Sequence, residues 1–427
     1  MSTPTRTNSA VIVPRIILAV YIGLALSYSF ADRLRLAPDE PAHFIYIRSM
    51  ATNLAPPPIA TTETPSEHSS ASHEGHQPPL YYALMAIPYA ILKGIGASSD
   101  LIWRILRLLT IPLGACWIYA VWMLTREFFG RDGYALAATG LTALLPTSSY
   151  AAGIINNDIL IALLFTLGLV SILRYFKTGG LSVRSSALLG IVIGLAALAK
   201  AQGLILLPVF LIAALPVCRR EHYANSREVF RSVGIVVAAA FVVCGWWFIW
   251  RSLEYGTPFP HSLFKPIGTD PMTAFIAAPG IMLRLLGFLT SRLWGHLIAP
   301  FWLINGCVSW TGYFRVFGVI TLVALFGFVF RLRRNGQIDR RSLWLLVFAA
   351  GLQYLLYVHY VLTVDIGATD QGRLFLSVAA VVSVCLVMGF DGYLRSARAR
   401  IIGAALGASA LLALNVFVMV CAIRLRF

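Results

Sequence analysis

The sequence predicts an all-α, polytopic membrane protein, and three observations predict it. Of its 427 residues, 58% are hydrophobic and only 12% are charged, which departs from the make-up of a soluble domain. Many of its apolar runs reach the roughly 20 residues that a helix needs to cross the bilayer core. The net charge of +16 is spread over short loops between those runs. That is the positive-inside distribution, so the charge reports topology, and no nucleic-acid partner is implied. The six cysteines show no paired spacing and mostly sit inside apolar runs, where Cys behaves as a small hydrophobe.

The chain reads as a single membrane domain over 1–427. Residues 32–103 form a first outer loop, 104–252 the core spans, 253–312 a second outer loop and 313–427 the C-terminal spans. The first span covers Val11 to Ala31, with Arg6 and Arg15 on its starting side. It is expected to be an uncleaved anchor with a cytoplasmic N-terminus, because the run is long for a signal peptide. In the outer loop that follows, Pro41 to Leu54 predicts a helix, with Glu40 at the cap and Pro41 at the first helical position. Its stripe of Phe44, Ile47, Met50, Ala51 and Leu54 predicts that it lies on the membrane surface. Pro56-Pro57-Pro58 ends it. Leu80 to Ile95 is short and carries Pro88, so it is expected to be re-entrant or interfacial.

Alternation is regular from there. Ile105–Leu124 leads to a basic loop around Arg126 and Arg131. A span from Gly133 delivers Asn156-Asn157-Asp158 outside, and the next returns to Arg174 and Lys177. A pair over Ser186–Val217 turns at Lys200-Ala201-Gln202-Gly203, and Val233–Trp250 follows. Met282 to Trp310 is aromatic, contains Arg284, Arg292 and His296, and predicts another interfacial region. Spans over Arg315–Phe330, Leu343–Leu362, Phe375–Gly389 and Ile401–Ala422 bring the total to about eleven.

One polar stretch dominates the search for chemistry: Pro38-Asp39-Glu40-Pro41-Ala42-His43-Phe44, just beyond the first span. Ionisable groups beside hydrocarbon are costly and mark function by default. With this topology, Asp39, Glu40, His43, His76, Asp158, Lys200, Arg251, Arg292, His296, Asp365, Asp370 and Arg373 all face one side. Carboxylates and guanidinium groups in one cavity suit displacement of a phosphate from an electrophilic carbon. A carboxylate takes the proton of an attacking hydroxyl while cations hold the leaving phosphate. Asp39 and Glu40 are therefore the catalytic candidates, and His43, His76, Asp158, Lys200, Arg292 and Arg373 the substrate-binding ones. His68, His73, Glu74 and His76 match no strong ligand spacing, and no DxD pair occurs, so no metal or other cofactor is required by the sequence.

Taken in order, Pro38-Asp39-Glu40-Pro41-Ala42-His43-Phe44, His76-Gln77-Pro78-Pro79-Leu80-Tyr81-Tyr82, Asn156-Asn157-Asp158, Leu198-Ala199-Lys200 and Gln371-Gly372-Arg373 resemble the GT-C superfamily of integral-membrane glycosyltransferases. Within it they resemble a bacterial family of predicted membrane proteins with a PDEPAHF-type first loop. Protein O-mannosyltransferases and the aminoarabinose transferase of lipid A are more distantly similar. The resemblance implies a GT-C-like fold in a bacterial inner membrane, with the site facing the periplasm or exterior. It implies a polyprenyl-phosphate sugar donor, an extracytoplasmic acceptor and inversion at the anomeric carbon. It makes Asp39 the expected base, with Glu40 next, and matches Asp158 and Arg373 to a second-loop acid and a late-loop basic residue. Leu374 departs from the pattern, which expects an aromatic there. Two rival functions use similar ligands: a transporter or flippase of lipid-linked sugars, and an oligosaccharide polymerase or ligase.

Overall fold

A computed structural model describes residues 9–59, 73–180, 182–218, 226–260, 311–333, 339–363 and 372–424, and among them there is no β-strand. Helix α1 spans Ser9–Ala31, α2 Glu40–Asn53, α3 Leu80–Gly94 and α4 Ser99–Phe129. Then come α5 (Asp132–Leu144), α6 (Pro146–Ala152), α7 (Asp158–Thr178), α8 (Val183–Ala199), α9 (Leu206–Cys218) and α10 (Ser226–Tyr255). The last four are α11 (Thr311–Arg333), α12 (Arg340–Thr363), α13 (Ala379–Asp391) and α14 (Ala397–Arg424). Short 3-10 turns at His73–His76, Ala201–Ile205 and Gly372–Val378 complete the described chain.

Among the described residues, seven helices are long and apolar enough to cross a membrane. They match seven of the expected spans. The run from Gly133 does not form one helix. Pro146 has no N–H to donate and pushes Leu145 to an extended conformation (φ −63°, ψ 126°), so the run divides into α5 and α6. The Ser186–Val217 pair appears as the 17-residue α8 and the 13-residue α9, parted at Lys200 as expected. The Arg315–Phe330 run lies within α11.

The interior forms around α4 and α7. Trp117 and Phe165 are fully buried there, and Trp117 Nε1 donates to Thr166 Oγ1 at 3.2 Å. Ser98 caps α4, accepting from the Leu101 N–H, and Gly130 ends that helix in the left-handed region. Elsewhere close packing depends on small residues, as membrane helix contacts do. A Cβ on Gly190 of α8 would lie 2.5 Å from Val236 O of α10, and one on Gly389 of α13 would lie 2.1 Å from Ala324 O of α11.

Two local expectations are corrected. Helix α2 does not simply lie on a surface with one apolar stripe. Glu40, Ala42, His43, Phe44, Tyr46 and Ile47 are all buried, whereas Leu54 is 87% exposed and lies beyond the helix end. The second face is covered by α3, where Tyr82 stacks on Tyr46 and meets His43, while Phe44 of the expected stripe packs between Tyr89 of α3 and Trp103 of α4. Nor does Glu40 occupy the N-cap. Asp39 does, in the left-handed region (φ 59°) and without a side-chain capping bond. Helix α3 has 15 residues, about 22 Å of rise.

Candidate active site

The C-terminal end of α1, the N-terminal ends of α2 and α7, the end of α8 and the Gly372–Val378 turn converge at one end of the bundle. Four charged side chains meet there. Asp39 comes from the α1–α2 connection, Asp158 opens α7, Lys200 closes α8 and Arg373 lies in the turn. The side chain of Asn156 fixes Asp158, its Oδ1 accepting from the N–H groups of Asp158 (2.9 Å) and Ile159 (3.4 Å). So an asparagine caps α7, and the Asp158 carboxylate is available for ionic contacts.

Those contacts alternate in sign. The Arg373 guanidinium pairs with Asp39 through Nη2 and donates to Pro38 O from Nη1 at 3.3 Å. Its Nε lies 3.6 Å from Asp158 Oδ2, and Lys200 Nζ sits 2.6 Å from Asp158 Oδ1. Burial is deepest at Asp158, inside this line, and least at Asp39, its end. The Asp158 side chain is 2% exposed, Arg373 10%, Lys200 14% and Asp39 29%. Asp39 is thus the most accessible carboxylate of the line, and both cations are mostly withdrawn from water.

His43, one turn into α2, is buried beside this line. Its Nδ1 lies 2.9 Å from Tyr82 Oη and 4.0 Å from Glu74 Oε2. Burial lowers its pKa from the ordinary imidazole value; the nearby Glu74 opposes that and Arg373 reinforces it. His76 stands one residue further out, accepting from Gln77 Nε2 at 3.1 Å. Gln77 Oε1 in turn accepts from Asn157 Nδ2 at 3.4 Å, which ties the stretch between α2 and α3 to the start of α7.

Glu40 is placed differently from its neighbour. Its side chain is fully buried, and Arg107 of α4 grips it with Nε to Oε1 and Nη2 to Oε2, both 2.6 Å. Oε1 also accepts from the Ile155 N–H at 3.0 Å. The remaining Arg107 donors reach Ser29 O, Asp32 O and Arg33 O at 3.0–3.1 Å. One guanidinium therefore satisfies all its N–H groups while joining α1, α2, α4 and the loop before α7. Both Glu40 oxygens are committed, and the side chain has no exposure to solvent.

Of the residues expected from the sequence, the structure gathers Asp39, His43, Asp158, Lys200 and Arg373, with His76 at the margin and Glu40 behind Asp39. Arg292, His296, Asp365 and Asp370 lie outside the described residues. Sequence reasoning missed Arg107, whose signal was an arginine well inside an apolar run. Glu74, weighed there only as a metal ligand, is a buried carboxylate beside His43. Arg251, read only as an outer-face charge, is 1% exposed and held against Trp247, Trp250 and Tyr255. It donates to Gly75 O at 2.6 Å and so pins the His73–His76 turn to the end of α10. No group of three metal-ligating side chains occurs among the described residues.

This fold has known counterparts. The archaeal oligosaccharyltransferase AglB from Archaeoglobus fulgidus, solved in complex with an inhibitory peptide and a dolichol-phosphate, superposes with a TM-score of 0.55 at 16% identity. The superposition covers 98% of this chain and 56% of that one. The arabinosyltransferase EmbB from Mycobacterium smegmatis gives a TM-score of 0.52 at 16% identity, over 96% of this chain and 37% of that one. The chain therefore spans about half the length of the first and just over a third of the second. At such identities the likeness establishes architecture alone: the chain shares its helical membrane fold with these two proteins. No curated protein matches the sequence. The family described as "Predicted membrane protein (DUF2142)" matches residues 48–382, a stretch that takes in Asp158, Lys200 and Arg373 and begins after Asp39. That match covers well over half of the chain, which belongs to this family of multi-pass membrane proteins.

Proposed function

We propose that the protein is an inverting glycosyltransferase that moves a sugar from a polyprenyl-phosphate donor to an extracytoplasmic glycan, lipid or protein acceptor. The observation that carries this reading is the alternating line Asp39–Arg373–Asp158–Lys200, set where several helix ends meet. The GT-C fold supports it, as does the dolichol-phosphate in the archaeal structure. Asp39, the most accessible carboxylate, removes the proton from an acceptor hydroxyl. The hydroxyl oxygen attacks the anomeric carbon from the face opposite the phosphate, whose C–O bond breaks. The electron pair leaves with the lipid phosphate, held by Arg373 and Lys200. Asp158 balances the two cations before the donor arrives. Arriving phosphate competes with Asp39 for the same guanidinium, so donor binding releases the base for its task. Glu40, locked to Arg107, holds this corner in place. The site faces the periplasm or exterior of a bacterial inner membrane.

The test is incubation of purified protein with labelled polyprenyl-phosphate sugars and cell-envelope acceptors. Wild type is expected to transfer label. Asp39→Asn, shown to be folded by its melting profile, is expected to be slower by about 10²–10⁴-fold. A wild-type rate in that variant removes Asp39 as the base. Label that crosses a bilayer without joining an acceptor replaces the transferase by a flippase.

A further inference from the structure

Lys200 and Arg373 share a local design. Lys200 leads into the 3-10 turn Ala201–Ile205, and Arg373 lies near the start of the 3-10 turn Gly372–Val378. The turns come from distant parts of the chain, and buried amides tie them together. Gln353, near the middle of α12, donates from Nε2 to Leu374 O and to Gln202 Oε1, both at 3.2 Å. Gln202 Nε2 donates to Ser377 Oγ at 3.4 Å. Exposure is 3% for Gln353, 8% for Gln202 and 1% for Ser377. The direction of the chain of bonds is fixed by chemistry. Leu374 O can only accept, so the Gln353 NH₂ must face it, and Gln202 must then present its oxygen to Gln353 and its NH₂ to Ser377.

A glutamine in the middle of a span is costly, and Gln353 Oε1 is buried with no hydrogen-bond partner among the described residues, which adds to that cost. Apolar packing would serve α12 better if the residue only filled space. The site supplies a reason for retaining it. Two cations on separate turns can hold one phosphate only if their spacing is fixed, and like charges drive them apart. One Gln353 bond ends beside Arg373 and the other ends two residues beyond Lys200.

We infer that Gln353, with Gln202 and Ser377, is a positioning device that sets the separation of Lys200 and Arg373 for a lipid phosphate. It rests on the reading of those two cations as a phosphate site. The three side chains touch neither phosphate nor sugar, and they act through the turns.

Binding of farnesyl phosphate to the full chain in nanodiscs tests this. Gln353→Met keeps the volume and removes both donors, and it is expected to weaken binding by about tenfold, since small misplacements of binding groups have large effects. Gln202→Met is expected to do the same. The double variant is expected to be no worse than the weaker single, because the bonds act as one unit. Ser377→Ala, a change of one hydroxyl, is expected to weaken binding less but measurably, and it keeps the test in force if either methionine variant fails to fold. Wild-type affinity in Ser377→Ala and Gln353→Met overturns the proposal, and so do additive losses in the double variant. If wild type itself shows no saturable binding, the phosphate site falls, and this device with it. If wild type binds and the variants bind equally well, only the device falls.

Discussion

Asp39 keeps its backbone at φ 59°, a region that costs most L-residues about 1–2 kcal/mol and suits Asn and Gly better. Substitutions there report different things. Asp39→Asn keeps the turn and removes the charge, so its rate reports the chemistry. Asp39→Ala adds strain, and a melting temperature below that of Asp39→Asn is expected. Equal melting of the two would mean that the turn relaxes without cost. His43 makes a prediction with a sign. Burial lowers its pKa, so below about pH 6.5 the unfolded chain binds the proton more readily than the folded one. The contribution of neutral His43 to stability is complete above that pH and is lost as pH falls toward the depressed value. Thermal melts of wild type are expected to decline through this acid window, and those of His43→Gln to decline less. The same slope in both would remove His43 as the source. At this scale the sequence was informative about candidates and silent about pairing. Asp39 and Glu40 are adjacent and chemically alike, and their separation into an accessible and a buried carboxylate depends on Arg107, a residue 67 positions later.

At the scale of elements, the Glu40–Arg107 pair holds α1, α2 and α4 at the site. Pairs with no exposure cost several kcal/mol when only one partner is removed, because the other is stranded. Arg107→Leu is expected to destabilise the fold by about 3–5 kcal/mol, read as a lowered melting temperature. A change below about 1 kcal/mol would show that water reaches Glu40 once the guanidinium has gone. Apolar run length made most helices legible, and the Pro56-Pro57-Pro58 and Lys200 breaks were legible from residue type. The division at Pro146 is hidden from hydropathy, because apolar residues continue on both sides of that one proline. The second buried face of α2 could not be read from its own residues. Tyr46 and His43 look like water-facing polar positions until Tyr82 of α3 covers them.

Across the whole molecule, charge sorts into two layers. At the end opposite the site, Asp391 accepts from Arg331 (2.9 Å), Arg400 (2.6 Å) and the Tyr134 hydroxyl (3.0 Å), and Glu127 pairs with Arg174 at 3.2 Å. Asp391→Asn is expected to lower stability by about 1–2 kcal/mol, modest because the Arg400 side chain is 43% exposed, and to leave farnesyl phosphate affinity unchanged. A loss of affinity would mean that the two layers are coupled. The positive-inside bias made this layering legible from loops alone, whereas the partners within each layer required the fold. Among the helices that join the layers, the apolar helical stretch Arg373–Asp391 begins at the site's guanidinium and ends at the opposite carboxylate. It is anchored by ions at both ends and wedged against α11 by Gly389, so it behaves as a fixed post. In the Asp39–Arg373 contact the arginine is then the stator. In the proposed reaction, the partner that moves to admit the donor is the carboxylate on the short α1–α2 connection.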